Sequence, residues 1–224
     1  MGQFVEMSRV IAHGMRGINP RYAVTVEPFS THPESAKALD GKASFEISQV
    51  SFQVPVGTYV DSPRTRDPGG RDIAALGLED LILPGICLDC RAQGARAFGT
   101  VEPADLPPAV ALKGRAVLFD FGRAAHYGEP TYDADPPFLA KATVDALIAA
   151  GARLVGVDNR SPDDPRDLSR HAHTHLLRAG ILIVENLHAM ERVRGRDFRF
   201  FAIPARVKDA TSFPIRAFAE LPGA

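Results

Sequence analysis

Three of the seven histidines fall within five residues, His171-Ala172-His173-Thr174-His175, and imidazoles this dense are the place to look for metal or acid–base chemistry. On a helix, His171 and His175 lie four apart on one face, the spacing of a zinc-binding helix pair. His173 instead shares its face with Leu176, Leu177 and Gly180, whereas His171 shares its face with Thr174, His175 and Arg178. The periodicity therefore puts His173 on the inward stripe, as a ligand to a buried site or a histidine satisfied in the core. It gives His171 and His175 a solvated face. Glu185 directly follows Ile181-Leu182-Ile183-Val184, which places a carboxylate at the carboxyl end of a buried strand, where α/β folds build their sites. An unpaired charge there is costly, so Glu185 requires a cation, a donor or a metal. Asp158 ends Leu154-Val155-Gly156-Val157 in the same manner, and is open to a second reading as the cap of the following loop through Ser161.

The remaining chemistry is sparse. Cys87 and Cys90 form a lone C-x-x-C, and a four-thiolate zinc site needs a second pair. Residues three apart on a strand point to opposite faces, so these read as two buried core thiols. Net charge is −1, from 26 basic and 27 acidic residues, which makes no electrostatic case for nucleic acid or an anionic membrane. No run approaches a membrane span and no signal-peptide core opens the chain, so a cytoplasmic location is expected.

The elements that must position these groups alternate. An opening strand is expected at Met1-Gly2-Gln3-Phe4-Val5-Glu6, and further strands at 45–54, 81–88, 115–121, 154–158 and 181–184. Asp67-Pro68-Gly69-Gly70 reads as a turn. Phe138, Leu139, Ala142, Leu147 and Ile148 have helical spacing closed by Gly151, and Ser169 is a candidate cap for a helix running to Ala179 and ended by Gly180. Helices alternating with continuous apolar strands make an α/β core with parallel pairing, and the strand-rich first half adds a β layer. At 224 residues, one compact domain over 1–224 is the default.

One further stretch, Val56-Gly57-Thr58-Tyr59-Val60-Asp61-Ser62-Pro63, resembles the signature His-x-Gly-Thr-His-x-Asp-x-Pro-x-His of the metal-dependent cyclase family, which includes bacterial kynurenine formamidases and isatin hydrolases. Gly57, Thr58, Asp61 and Pro63 match. Pro55 and Tyr59 stand where two metal-binding histidines belong, and Thr65 where the family has its acid/base histidine. The run from His173 to Glu185 is similar to the family's later histidine and its metal-binding glutamate twelve residues on. The resemblance extends over nearly the whole chain.

It implies a single-domain β/β/α cyclase-like fold with a mixed sheet, and association as a homo-oligomer. The family's aspartate bridges two metal positions. Here one reduces to Asp61, while the other survives as Asp61, His173 and Glu185, a three-ligand set for one Zn²⁺ or Mn²⁺. The implied activity is hydrolysis of an amide, cyclic amide or lactone C–N or C–O bond of a small molecule. The competing reading is a catalytically inactive scaffold that binds a small molecule or a protein partner, with no metal. Tyr59 is a candidate catalytic group or a packing residue. Arg64 and Arg66 are candidates to bind a substrate carboxylate, or to pair with acids such as Asp67.

Overall fold

The computed structural model describes residues 2–17 and 21–223, so Met1 of the expected opening strand lies outside the described residues. The chain divides into two compact units, one of Met1–Arg9 with Thr58–Ala224, the other of Val10–Gly57. The large unit opens with β1 (Gln3–Glu6). The small unit then holds β2 (Thr25–Ser30), α1 (His32–Ala38) and β3 (Ile47–Ser51), the last within the strand expected at 45–54. β2 and β3 pair antiparallel.

The large unit resumes with β4 (Tyr59–Asp61), α2 (Leu78–Leu81), β5 (Ile82–Asp89), α3 (Arg91–Gly94), β6 (Thr100–Val101) and β7 (Ala116–Asp120). It continues through β8 (Phe138–Leu139), α4 (Lys141–Ala150), β9 (Leu154–Val157), α5 (His171–Arg178), β10 (Leu182–Glu185), β11 (Phe198–Pro204) and β12 (Ser212–Leu221). Strands run β12-β11-β5-β7-β9-β10-β4, and β4 returns to β12, closing a ring. The ring closes because β12 divides one edge, pairing Ser212–Pro214 with β4 and Phe218–Leu221 with β1. The β5-β7-β9-β10 pairings are parallel and the others antiparallel, so the α/β fold with a mixed sheet is as expected.

Alternation along each strand sorts the core into two clusters. Val60, Leu83, Cys87, Leu118, Leu154, Val184, Phe200 and Ala217 meet inside the ring. Val117, Phe119, Val155, Val157 and Ile183 face outward and pack with Val144 and Leu147 of α4 and Ala172, Leu176 and Leu177 of α5. Each fully buried aliphatic side chain here contributes about 1.5–3 kcal/mol. Gly156 is required by close approach, since a Cβ there would meet Leu118 at 2.5 Å. Cys87 belongs to the inner cluster and Cys90 to the outer. Both are free and buried, and burial pushes the Cys90 thiol up to about 12.

Two expected helix starts shift. Phe138 and Leu139 are not helical: they form β8 and pair in parallel with β6. Pro136-Pro137 favours an extended approach, and Leu139 reaches the outer cluster from it. α4 begins at Lys141 and ends as expected at Gly151, left-handed at φ +75°. Ser169 does not cap α5: Arg170 occupies the cap position in a left-handed conformation, without a side-chain capping bond. The cap comes from farther back, as the site shows.

Candidate metal centre

The pairing of β4 with β10 builds one wall of the site. Ile183 is paired with Asp61, Val184 with Val60, and Glu185 with Tyr59. Alternation sends Val60 and Val184 into the ring and turns Tyr59, Asp61 and Glu185 to the opposite face. α5 supplies the second wall through His173. Donor atoms of Asp61, His173 and Glu185 all lie within 4.8 Å of one another. His173 Nε2 is 3.5 Å from Asp61 Oδ2 and 3.3 Å from Glu185 Oε1. All three residues are buried, with 4%, 5% and 1% exposure.

Those edges test the fit of a metal. Ligand atoms about 2.0–2.2 Å from a common tetrahedral ion lie roughly 3.3–3.6 Å apart, and the two His173 edges fall in that interval. Glu185 Oε1 is buried and makes no aligned hydrogen bond, with His173 Nε2 3.3 Å away, and a buried carboxylate oxygen so poorly satisfied is costly. Two carboxylates and an imidazole are a donor set that suits Zn²⁺ or Mn²⁺. The residues present fit the ion that the resemblance implies.

Each of the three is held in turn. His173 Nδ1 donates to Asp163 Oδ2 at 2.5 Å, which directs Nε2 at Asp61 and Glu185. Such an outer carboxylate fixes the ring orientation and raises the basicity of the ligating nitrogen. Asp163 Oδ1 also accepts from the backbone N–H of Ala172 at 2.6 Å and of His173 at 3.3 Å. One side chain therefore caps α5 and aims its histidine. Arg170 Nε, 3.2 Å from Asp163 Oδ2, completes the group. Burial works against the Asp163 carboxylate, but His173 and Arg170 outweigh it and hold its pKa below the ordinary value. Thr65 Oγ1 lies 3.4 Å from Asp61 Oδ1 and donates to the Thr211 carbonyl at 2.9 Å.

Tyr59 donates its hydroxyl to Glu185 Oε2 in a very short contact. Burial, then the charges of Glu185 and Asp61, push its pKa well up, so Tyr59 is a phenol at neutral pH and a donor rather than a base. Burial works to lower the His173 imidazole, but the charge of Glu185 and bonds with Asp163, Asp61 and Glu185 hold it above its ordinary value. Burial also raises Glu185 against the opposing pull of His173.

The structure thus brings Tyr59, Asp61, His173 and Glu185 together. Arg64 pairs with Asp209 at 3.3 Å, and Asp67 accepts from the N–H of Gly69 in its own turn. Arg66 Nε is buried without a hydrogen bond. Pro55 belongs to the small unit. Asp158 does not cap the loop after it. Its oxygens accept from Phe121 and Ala124 N–H at 2.9 and 3.1 Å, and burial, against those bonds, raises its carboxyl to about 6. Asp163 escaped the sequence reading. Its one signal is the first aspartate of Ser161-Pro162-Asp163-Asp164-Pro165, ten residues before the histidine it orients.

The Cyclase family matches residues 5–164, a span that includes Asp61 and stops before His173 and Glu185. The kynurenine formamidase of Maricaulis maris (strain MCS10) is 32% identical over 181 residues, 79% of this chain and 82% of that protein. That of Delftia acidovorans (strain DSM 14801 / SPH-1) is 30% identical over 173 residues, 76% of this chain and 78% of that protein. Isatin hydrolase A from Labrenzia aggregata, bound to benzyl benzoate, superposes with a TM-score of 0.83 over 99% of this chain and 94% of that one, at 17% identity. A potential metal-dependent hydrolase with cyclase activity gives 0.76 over 100% of both chains at 20% identity. At these identities the two structures speak for the fold alone.

Proposed function

Because the chain belongs to the Cyclase family, we propose that it is a divergent metal-dependent hydrolase of an amide, cyclic amide or lactone, with Asp61, His173 and Glu185 holding one Zn²⁺ or Mn²⁺. The observation that carries this reading is the spacing of His173 Nε2 from Asp61 and Glu185, 3.5 and 3.3 Å, with Glu185 Oε1 buried and in no aligned hydrogen bond. When bound, the ion would supply Lewis acidity toward a carbonyl and a more acidic water.

The chain's own residues prepare that site. Asp163 keeps Nε2 of His173 aimed inward. Tyr59 occupies Glu185 Oε2 and so leaves Oε1, beside His173, as the oxygen that would hold the ion. Its retained proton is donated in a hydrogen bond to Glu185 and holds that carboxylate in place. Of the two arginines we assign Arg66, whose Nε is without a hydrogen bond, to an anionic substrate group, since Arg64 already pairs with Asp209.

A second reading is favoured by one specific observation. Tyr59 closes on Glu185, and His173 lies within ion-pair reach of Asp61, Glu185 and Asp163. The cluster can satisfy itself as a silent scaffold that binds a small molecule or a partner. Elemental analysis of the purified protein separates the two. Stoichiometric zinc or manganese that Asp61→Ala removes is the expected result. A metal-free wild type, or full occupancy in the variant, would overturn the metal assignment.

A further inference from the structure

The outer face of α5 carries donors that the inner site does not use. His171 and His175 lie one turn apart, with ring centroids 4.0 Å apart and planes within 24°; a shared ion would require a modest rotation of one ring. Asp145 of α4 stands opposite. Its Oδ1 is 3.5 Å from His171 Nε2, yet Nε2 makes no hydrogen bond and is shielded from solvent. An ordinary histidine–carboxylate bond would satisfy that nitrogen, and none forms. The separation instead equals the edge between two ligands of one tetrahedral ion, roughly 3.3–3.6 Å. One donor atom from each of Asp145, His171 and His175 lies within 4.8 Å of the others.

We propose that Asp145, His171 and His175 form a second divalent transition-metal site, at the surface between α4 and α5. Two imidazoles and one carboxylate select Zn²⁺, Ni²⁺ or Cu²⁺ over Mg²⁺ and Ca²⁺, which prefer all-oxygen shells. Asp145 and His175 are exposed, so the ion enters directly from solvent and keeps coordination positions for water. The site pins α5 to α4 from outside and does not depend on occupancy of the inner cluster.

Calorimetric titration of the untagged full chain with Zn²⁺, and separately with Ni²⁺, tests this. The wild type is expected to bind one molar equivalent more than His171→Gln/His175→Gln. Asp61→Ala is expected to keep the outer equivalent, and Asp145→Asn to weaken it by about tenfold or more. Equal stoichiometry and affinity in the wild type and the double-histidine variant would overturn the site, as would binding of Mg²⁺ in preference to Ni²⁺. Circular dichroism checks that the variant is folded. Should the pair disturb α5, His175→Gln alone, at an exposed position, carries the same comparison.

Discussion

One short helix, α5, presents histidines to two unlike surroundings. On its inner face His173 meets Asp61 and Glu185, and every group there has a further partner: Asp163 holds the imidazole, Tyr59 holds Glu185, and Thr65 lies against Asp61. On its outer face His171 and His175 meet an exposed aspartate, with no comparable outer support. Both faces offer carboxylates and imidazoles, two to one inside and one to two outside. The larger difference is pre-organisation: the inner set is fixed before any ligand arrives, whereas the outer set must order an exposed Asp145 at an entropic cost. The inner site is therefore expected to hold metal through purification and the outer one to exchange it.

The most severe way to break the comparison is to remove a shared inner ligand. Asp61→Ala or His173→Ala should eliminate both inner metal and hydrolytic activity, read by elemental analysis and by turnover of a small amide or lactone panel. Asp163→Asn should come next, because Asp163 stands outside the three-ligand group and acts through His173. Loss of an outer carboxylate partner lowers metal affinity by about 10–100-fold. Asn caps a helix as well as Asp does, so the same change should leave the cap of α5, and with it stability, nearly unaltered. A competition titration with a chelator reads the affinity and thermal melting checks the stability. If Asp163→Asn left inner affinity as it was, pre-organisation would not be what separates the two faces.

The helix face was legible from the sequence because a period of 3.6 acts within a few residues: Leu176, Leu177 and Gly180 marked the stripe that carries His173. Glu185 was legible for a similar local reason, four apolar residues ending in a charge. What joined them was less so. The contact of Tyr59 with Glu185 spans 126 residues and depends on β4 inserting between β10 and β12, a pairing that no local pattern encodes. The family resemblance supplied Asp61, but it marked Tyr59 only as a departure from the motif and gave it no partner. Asp163 was missed because an aspartate in a proline-bounded loop looks like a turn residue. Phe138 and Leu139 mimicked the helical period while belonging to a two-residue strand, since a short apolar pair serves either element.

A third buried carboxylate sharpens what partners contribute. Asp158 is as buried as Asp61, but its carboxylate takes its hydrogen bonds from backbone N–H groups, with the like charge of Asp120 nearby. Its carboxyl is raised from an ordinary 3.8 to about 6. The unfolded chain therefore ionises first as pH rises, so this contribution to stability is complete below about 4 and lost by about 6. Two units correspond to roughly 3 kcal/mol. Asp158→Asn should flatten that dependence, seen as a smaller difference in denaturation midpoint between pH 4 and pH 7 than in the wild type. An unchanged difference would place the pH sensitivity elsewhere.

The smallest effect expected is the most discriminating for the degenerate motif. If Tyr59 stands in for a missing histidine as a ligand, Tyr59→Phe should strip metal as Asp61→Ala does. If it holds Glu185 instead, the variant removes one donor from a buried carboxylate. The cost is then about 1–3 kcal/mol of stability, and the inner equivalent of metal remains. The geometry favours the second outcome, because the hydroxyl already bonds Glu185 Oε2 while Oε1 lies beside His173. Paired measurements of melting temperature and metal stoichiometry decide it. A stable but metal-free Tyr59→Phe would mean that the phenol had taken over the coordination of the lost imidazole.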